Sequence, residues 1–198
     1  QSPQSRSMVH LVKRRRNGAL LAAFITPVQH AMGLSGQCYC GAVKIEITGD
    51  PAVCFICHCK ACVSWGGGIG NAGTLVPADK VKITGELVEA NPTNFCGGYD
   101  EAKGVMPQGF SKRKSCAKCY GCVLNDHAHT DAKMVDICGG LIDWGEKGFQ
   151  PAMHINYANA MFKIKDGKPK FKDFPTEFGG TGEIIPAASS MWGVWDKE

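Results

Sequence analysis

Cysteine spacing constrains this chain more than any other feature of its sequence. The 198 residues include 11 cysteines, an odd number that cannot pair completely within one chain. Cysteines one or two residues apart suit a metal ion better than a disulfide, because a tight turn can present both sulfur atoms at about 2.3 Å from zinc. Three clusters have this spacing: Cys38 with Cys40, Cys57 with Cys59 and Cys62, and Cys116 with Cys119.

The first and third clusters together predict a structural zinc. Cys38, Cys40, Cys116 and Cys119 supply four thiolates, which is the closed tetrahedral set of a structural site. A shared ion would join the first hairpin to the middle of the chain, so that its binding energy would also stabilise the fold. Two alternatives stay open, namely buried free thiols and redox-labile disulfides.

The middle cluster predicts a second zinc with an open coordination position. Cys57, Cys59 and Cys62 supply three thiolates, and their spacing shows no fourth ligand. This is the arrangement of a catalytic zinc, which water or a substrate sulfur completes, so these cysteines are the candidate catalytic residues. The alternative is a second closed structural site. Its fourth ligand would be one of five residues: His58, Cys54, Cys96, Cys122 or Cys138.

Residues outside the cysteine clusters give weaker evidence of a binding or catalytic role. The glycine run 66–68 either lets the backbone approach a ligand closely or forms a flexible turn. His127 and His129 lie in a polar stretch and are expected on the surface, although a metal role is the alternative. His154 lies in an alternating apolar segment, where a core or rim histidine is expected rather than a general base.

Apolar alternation predicts a mostly β domain at residues 36–178. Residues 43–48 alternate between apolar and polar side chains, and the pattern returns around Lys82. A third alternation at 162–165 precedes Asp166-Gly167, which predicts a hairpin continuing to Phe174. The flanking segments are a basic and apolar arm at residues 1–35 and a glycine-rich tail at residues 179–198.

Charge is concentrated in the arm. The chain has a net charge of +4, and its first acidic residue is Glu46. Beyond residue 45 the chain is slightly acidic, so no nucleic-acid partner is expected. The longest apolar run, at residues 18–28, is shorter than the roughly 20 residues that a membrane span requires.

The arm has the composition of an organelle-targeting presequence or its remnant. It combines the basic run 13–16 with the apolar run 19–25 and contains no acidic residue. The expected location is therefore a mitochondrion or plastid, and otherwise the cytoplasm. Ordering such an arm costs about 1–2 kcal/mol per residue, so we expect it to dock on a partner protein or an acidic membrane face, with packing on its own domain as the alternative. The tail is expected to contribute to docking in a larger assembly.

The ordered motifs resemble the glutathione-dependent formaldehyde-activating enzyme family, whose domain is shared with centromere protein V. The resemblance rests on G-x-C-x-C-G-A-V at residues 36–43, C-H-C-x-x-C at 57–62 and C-x-x-C at 116–119. The ending also fits, with Gly-Gly-Leu-Ile-Asp at 139–143, followed by Pro-Ala-Met-His-Ile at 151–155. The resemblance covers roughly residues 36–176.

The resemblance implies a β-tent fold with two zinc sites. Cys38, Cys40, Cys116 and Cys119 fall on the structural ligands, and Cys57, Cys59 and Cys62 fall on the substrate-facing metal. The implied activity is a carbon–sulfur lyase reaction that condenses formaldehyde with glutathione or a similar thiol. The sequence departs from the family pattern at Ser115, where an aromatic residue is usual, and at Tyr120, which precedes Gly121. The alternative function is a catalytically idle, zinc-stapled accessory subunit of an organellar complex.

Overall fold

Strands dominate the computed structural model, which describes residues 33–89 and 111–186. The mostly β class predicted from the sequence is confirmed. The strands are β1 (Leu34–Gln37), β2 (Lys44–Ile47), β3 (Val53–Cys57), β4 (Asn71–Pro77), β5 (Val81–Thr84), β6 (Leu87–Glu89), β7 (Lys112–Cys116), β8 (Cys122–His127), β9 (Met134–Cys138) and β10 (Met153–Ile155). The helix α1 spans Lys60–Gly66, and short 3-10 turns span Ala78–Lys80, Gly139–Leu141, Gly145–Lys147, Tyr157–Asn159 and Thr176–Phe178.

The strands form two sheets. A three-stranded antiparallel sheet has the order β1-β2-β5, and a seven-stranded sheet has the order β10-β3-β4-β9-β8-β7-β6. Neighbours in the large sheet are antiparallel, except that β10 pairs with β3 in parallel. The alternating segments around Ile45 and Ile83 became β2 and β5, which pair with these two residues opposite each other.

The main core contains residues from both sheets. Ile45 and Ile47 of β2 pack with Val76 of β4 and Ile137 of β9, and all four are almost fully buried. Burying an aliphatic side chain of this size contributes roughly 1.5–3 kcal/mol. The alternation of β2 therefore fixes which face of the small sheet meets the large one.

A second core lies on the other face of the large sheet. Leu75 belongs to this core whereas its neighbour Val76 belongs to the first, as side-chain alternation along β4 requires. Val53 of β3 and Met153 of β10 contribute to it, together with Ala61 of α1. The helix therefore covers the face of the large sheet that points away from the small sheet.

Two sequence expectations about local structure were wrong. The alternation at 162–165 does not form a strand, because the N–H of Ile164 donates to the Tyr157 hydroxyl instead of a neighbouring strand. Gly167 does occupy a turn, but Phe171 then bridges to Ile184. The helix α1 was missed because seven residues are too few to show a helical apolar stripe.

The predicted segment boundaries can be compared only in part. Strand β1 begins at Leu34, two residues before the predicted boundary. Residues at the start of the predicted tail pair with the domain, since Lys172 N–H donates to Glu183 O and Ile185 N–H donates to Lys170 O. The expected targeting or docking residues 1–32 lie outside the described residues, as do Cys96 and the end of the tail. Among residues 33–89 and 111–186, none of the helices has the length and apolar character of a membrane span.

Candidate metal centres

The four-thiol group, Cys38, Cys40, Cys116 and Cys119, joins two turns that are far apart in the sequence. Its sulfur atoms all lie within 4.8 Å of one another. Cys40 Sγ lies 3.6 Å from Cys38 Sγ and 3.8 Å from Cys116 Sγ. A tetrahedral zinc with sulfur ligands at 2.3 Å has edges of about 3.8 Å, whereas a disulfide requires about 2 Å. The four thiols therefore fit a single zinc ion, and none of them forms a disulfide.

Backbone N–H groups in both turns support the sulfurs of this group. Val43 N–H donates to Cys38 Sγ at 3.3 Å, and Lys118 N–H donates to Cys116 Sγ at 3.4 Å. Burial opposes ionisation of Cys38, but the Val43 N–H and the neighbouring thiols lower its pKa to about 6. The pKa of Cys119 is also lowered, chiefly by the Gly121 backbone, whereas the neighbouring thiols raise the pKa of Cys40 to about 11 against the Ala42 backbone bond. Cys38 and Cys119 are therefore the two thiols most readily converted to thiolate, the form that binds zinc.

Tyr120, where the sequence departs from the family pattern, does not disrupt the turn that carries Cys116 and Cys119. Tyr120 adopts the left-handed conformation, with φ of 58°, and its side chain is exposed. Its N–H donates to Cys116 O at 2.9 Å, and Cys116 N–H donates to Gly121 O at 3.0 Å. The chain thus makes a tight turn around the two sulfurs with a non-glycine residue, which costs about 1–2 kcal/mol.

The three-thiol group, Cys57, Cys59 and Cys62, forms where β3 passes into α1. Cys57 ends β3, Cys59 caps the helix and Cys62 lies in its first turn. Cys62 N–H donates to Cys59 Sγ at 3.3 Å, so the bond that starts the helix also brings two sulfurs together. All three sulfurs lie within 4.8 Å of one another, and all three residues are buried.

The three thiols share negative charge unequally. Hydrogen bonds from the thiols of Cys57 and Cys62 lower the pKa of Cys59 to about 3, although burial opposes this. The pKa of Cys57 is raised, chiefly by its contacts with the other two thiols. Sulfurs that compete in this way for protons are a suitable donor set for a cation, which would bind them all as thiolates.

No fourth ligand joins the three-thiol group among His, Cys, Asp and Glu of the described ranges. The ring of His58 is engaged elsewhere, because Nδ1 lies 3.2 Å from Ile69 O and Nε2 lies 2.8 Å from His154 Nδ1. Cys122 donates to Trp65 O at 3.2 Å. Cys54 and Cys138 also lie outside the group, as do His127 and His129. The structure therefore does not show a closed metal site in which His58 is the fourth ligand.

Two polar side chains that the sequence did not single out contact this group. Asn156 Nδ2 lies 3.5 Å from Cys57 Sγ, and Arg113 Nη2 lies 3.7 Å from Cys62 Sγ. Arg113 lies within the run Lys112-Arg113-Lys114, which reads as a solvated stretch. Strand alternation instead buries Arg113 while Lys112 is exposed. In the sequence, the one feature that linked Arg113 to a thiol group was its position three residues before Cys116.

A buried histidine pair links the three-thiol loop to the protein surface. Both His58 and His154 are almost fully buried. His154 Nε2 lies 2.7 Å from Asp166 Oδ2, and Lys170 Nζ lies 2.6 Å from Asp166 Oδ1. Burial alone would raise the Asp166 pKa, but Lys170 and His154 lower it to about 2. His154 is thus a core histidine whose two ring nitrogens contact His58 and Asp166.

Replacing His154 by alanine is expected to destabilise the domain. The change leaves a cavity and removes the partner of His58 Nε2, which together should cost about 2–4 kcal/mol. Thermal unfolding followed by circular dichroism should show a melting temperature lower by about 5–15 °C. The comparison variant Asp166→Asn keeps the His154 ring and its contact with His58 but loses the half-buried ion pair with Lys170, and its expected cost is about 1–2 kcal/mol. Equal melting temperatures for wild type and His154→Ala would contradict a buttressing role.

The run Gly66–Gly68 ends the helix and leads back towards the histidine pair. Gly67 adopts a left-handed conformation with φ of 64°, and its N–H donates to Val63 O, which terminates α1. At Gly70 a Cβ would lie 2.8 Å from Ile56 Cγ2 and 3.3 Å from His58 Cε1. A side chain at Gly70 would therefore push this loop away from His58, whose Nδ1 contacts the adjacent Ile69 carbonyl.

The chain matches a known protein family over most of its length. The model of the family described as "Glutathione-dependent formaldehyde-activating enzyme" matches residues 33–159, a range that contains both thiol groups. No curated protein matches the chain. A crystal structure of a Rhodobacter sphaeroides protein is similar at 14% identity and a TM-score of 0.38, covering 57% of this chain and 90% of that chain.

Proposed function

Because the chain belongs to the glutathione-dependent formaldehyde-activating enzyme family, we propose that it is a zinc-dependent carbon–sulfur lyase. Its proposed substrates are a glutathione-like thiol and a small aldehyde such as formaldehyde. The four-thiol group is the proposed structural zinc site, and the three-thiol group is the proposed reactive one. Residues Cys57, Cys59 and Cys62 would thus hold the reactive metal, which would stabilise the substrate thiol as thiolate.

The observation that carries this proposal is the difference between the two thiol groups. The first group offers four sulfurs with tetrahedral spacing, whereas the second offers three and has no fourth His, Cys, Asp or Glu donor within residues 33–89 and 111–186. A zinc ion with three protein ligands keeps a position for an exogenous ligand. Zinc there would supply one chemical effect, the stabilisation of a substrate thiol as thiolate at neutral pH.

The proposed reaction balances without a redox partner. A sulfur lone pair of the substrate thiolate forms a bond to the aldehyde carbon, and the carbon–oxygen π electrons move to oxygen. The proton that left the thiol ends on that oxygen, which gives an S-hydroxymethyl thioether. The reverse steps split the carbon–sulfur bond. The chain's own contribution is to hold the site, with Cys57 supported by Asn156 and Cys62 by Arg113.

The proposal is tested by metal analysis together with an exchange measurement on the purified full chain. Two zinc ions per chain are expected, since the two groups offer separate sets of thiols. Exchange of ¹³C-formaldehyde with its glutathione adduct, followed by NMR, should be faster with enzyme than in the spontaneous reaction. Cysteine and 2-mercaptoethanol in place of glutathione report thiol selectivity.

Two results would overturn this proposal. One is a chain that carries zinc at the four-thiol group alone. The other is a chain with both metals that does not accelerate exchange with any of the three thiols. The second result would favour the accessory-subunit alternative, which requires the zinc-stapled fold without the chemistry.

A further inference from the structure

A buried cation lies beside the three-thiol group. Arg113 is only 4% exposed, and its Nη2 lies 3.7 Å from Cys62 Sγ. Its guanidinium carbon also lies 5.4 Å from the centre of the Trp65 ring in α1. An arginine side chain keeps its charge at all ordinary pH values. Burying that charge is costly unless negative charge lies close to it.

The neighbouring strands hold Arg113 in a buried polar row. Arg113 of β7 pairs with Asn125 of β8, which pairs with Asp136 of β9. Asn125 Nδ2 donates to Asp136 Oδ2 at 2.9 Å, and Thr74 N–H donates to Asp136 Oδ1 at 2.9 Å. Burial raises the Asp136 pKa to about 6, although the bonds from Asn125 and the Thr74 N–H and the charge of Arg113 oppose this shift. Arg113 therefore lies between two buried acidic groups, the carboxyl group of Asp136 and the thiol of Cys62.

The two thiol groups differ in how they can tolerate charge. Four thiolates around a divalent ion carry two negative charges, but Cys40 is exposed and Cys119 is half-buried, so water reaches that group. Three thiolates around a divalent ion carry one negative charge, and Cys57, Cys59 and Cys62 are all buried. A buried anionic centre needs a protein counter-charge, which the exposed one does not.

We propose that Arg113 is the counter-ion of the three-thiolate metal centre, a positioning residue whose charge sets the affinity of that centre for a divalent metal. The inference rests on the proposed function, because it takes the three-thiol group as a metal site. Arg113 acts through the sulfur of Cys62 and makes no contact with substrate in this role. Trp65 confines the guanidinium from the side of the helix.

Metal affinity tests this role without any measurement of turnover. Full-length protein is loaded with zinc and titrated with a chelator. The two sites are told apart with the Cys57→Ser protein, which keeps the four-thiol group alone. Changes to a group that supports metal ligands typically weaken binding about 10–100-fold. We expect that loss for Arg113→Met at the three-thiol site, with the four-thiol site unchanged as an internal reference. Arg113→Lys, which keeps the charge, should recover much of the affinity.

Further variants separate charge from packing. Arg113→Gln keeps a hydrogen-bond donor without charge, so it should resemble Arg113→Met, and it serves as the neutral variant if Arg113→Met does not fold. Trp65→Leu removes the ring against the guanidinium but keeps the charge, so its loss of affinity should be smaller than that of the neutral variants. Equal loss in Arg113→Lys and the neutral variants would overturn the charge role, as would wild-type affinity in a neutral variant.

The outcomes also separate this inference from the proposed function. Two metals in wild type with no lyase activity would overturn the function and leave the role of Arg113 standing. Two metals held equally by wild type and a neutral variant would overturn the role of Arg113 alone. A wild-type chain that binds no metal at the three-thiol group would overturn both.

Discussion

Replacing Cys40 by serine is expected to unfold the β domain. Cys40 is exposed, so the change removes a metal ligand and almost no core packing. Structural zinc sites contribute about 10–16 kcal/mol of binding free energy that becomes folding free energy. This is as large as the whole stability of an ordinary domain, about 5–15 kcal/mol. The expected result is a chain without zinc at the four-thiol group and without a cooperative melting transition, measured by elemental analysis and circular dichroism.

Cys54→Ser provides the matched control for this change. Cys54 is a half-buried thiol that belongs to neither metal group, and burial raises its pKa to about 11. Its replacement should leave the zinc content unchanged and cost at most about 1 kcal/mol. If Cys40→Ser melts like wild type, or keeps all its zinc, the four-thiol group is not a structural metal site.

Replacing Cys57 by serine is expected to abolish thiol–aldehyde exchange while the domain stays folded. Only three sulfurs form this group, and a site that loses one of three ligands no longer holds zinc firmly. The four-thiol site lies beside the main core and does not share residues with this group, so it should keep its metal. We expect one zinc per chain, an exchange rate equal to the spontaneous rate, and a melting transition that remains cooperative.

Cys122→Ser is the control for the Cys57→Ser change, because Cys122 contacts α1, the helix that contains Cys62. Its thiol donates to Trp65 O of α1 but does not belong to the three-thiol group, and serine can make the same bond. This variant should keep two zinc ions and full activity. Two zinc ions in Cys57→Ser, or exchange at the wild-type rate, would contradict a reactive metal held by Cys57, Cys59 and Cys62.

Sequence spacing was enough to identify both thiol groups because their geometry is mostly local. Cys38 and Cys40 share one turn, and Cys116 and Cys119 share another, so only the meeting of the two turns required the fold. The strands around Ile45 and Ile83 were predictable for a similar reason, since alternation over a few residues fixes their buried face.

The surroundings of the three-thiol group were not predictable, because they depend on pairing between distant strands. His58 meets His154 across 96 residues, through the parallel pairing of β10 with β3. Arg113 stands between two lysines, and only the register of β7 against β8 shows that it points inward. The predicted hairpin at 162–174 failed because Ile164 and Phe171 found partners outside that segment.

The parallel pairing of β10 with β3 has a consequence for how the protein is made. The three-thiol segment leaves the ribosome long before His154, its partner 96 residues later. At roughly 5–20 residues per second, this interval lasts about 5–20 s. During that time the nascent thiols lack β10, which pairs with the strand that ends at Cys57. Until β10 is in place, these thiols are open both to a metal ion and to oxidation, and both reactions use the thiolate form.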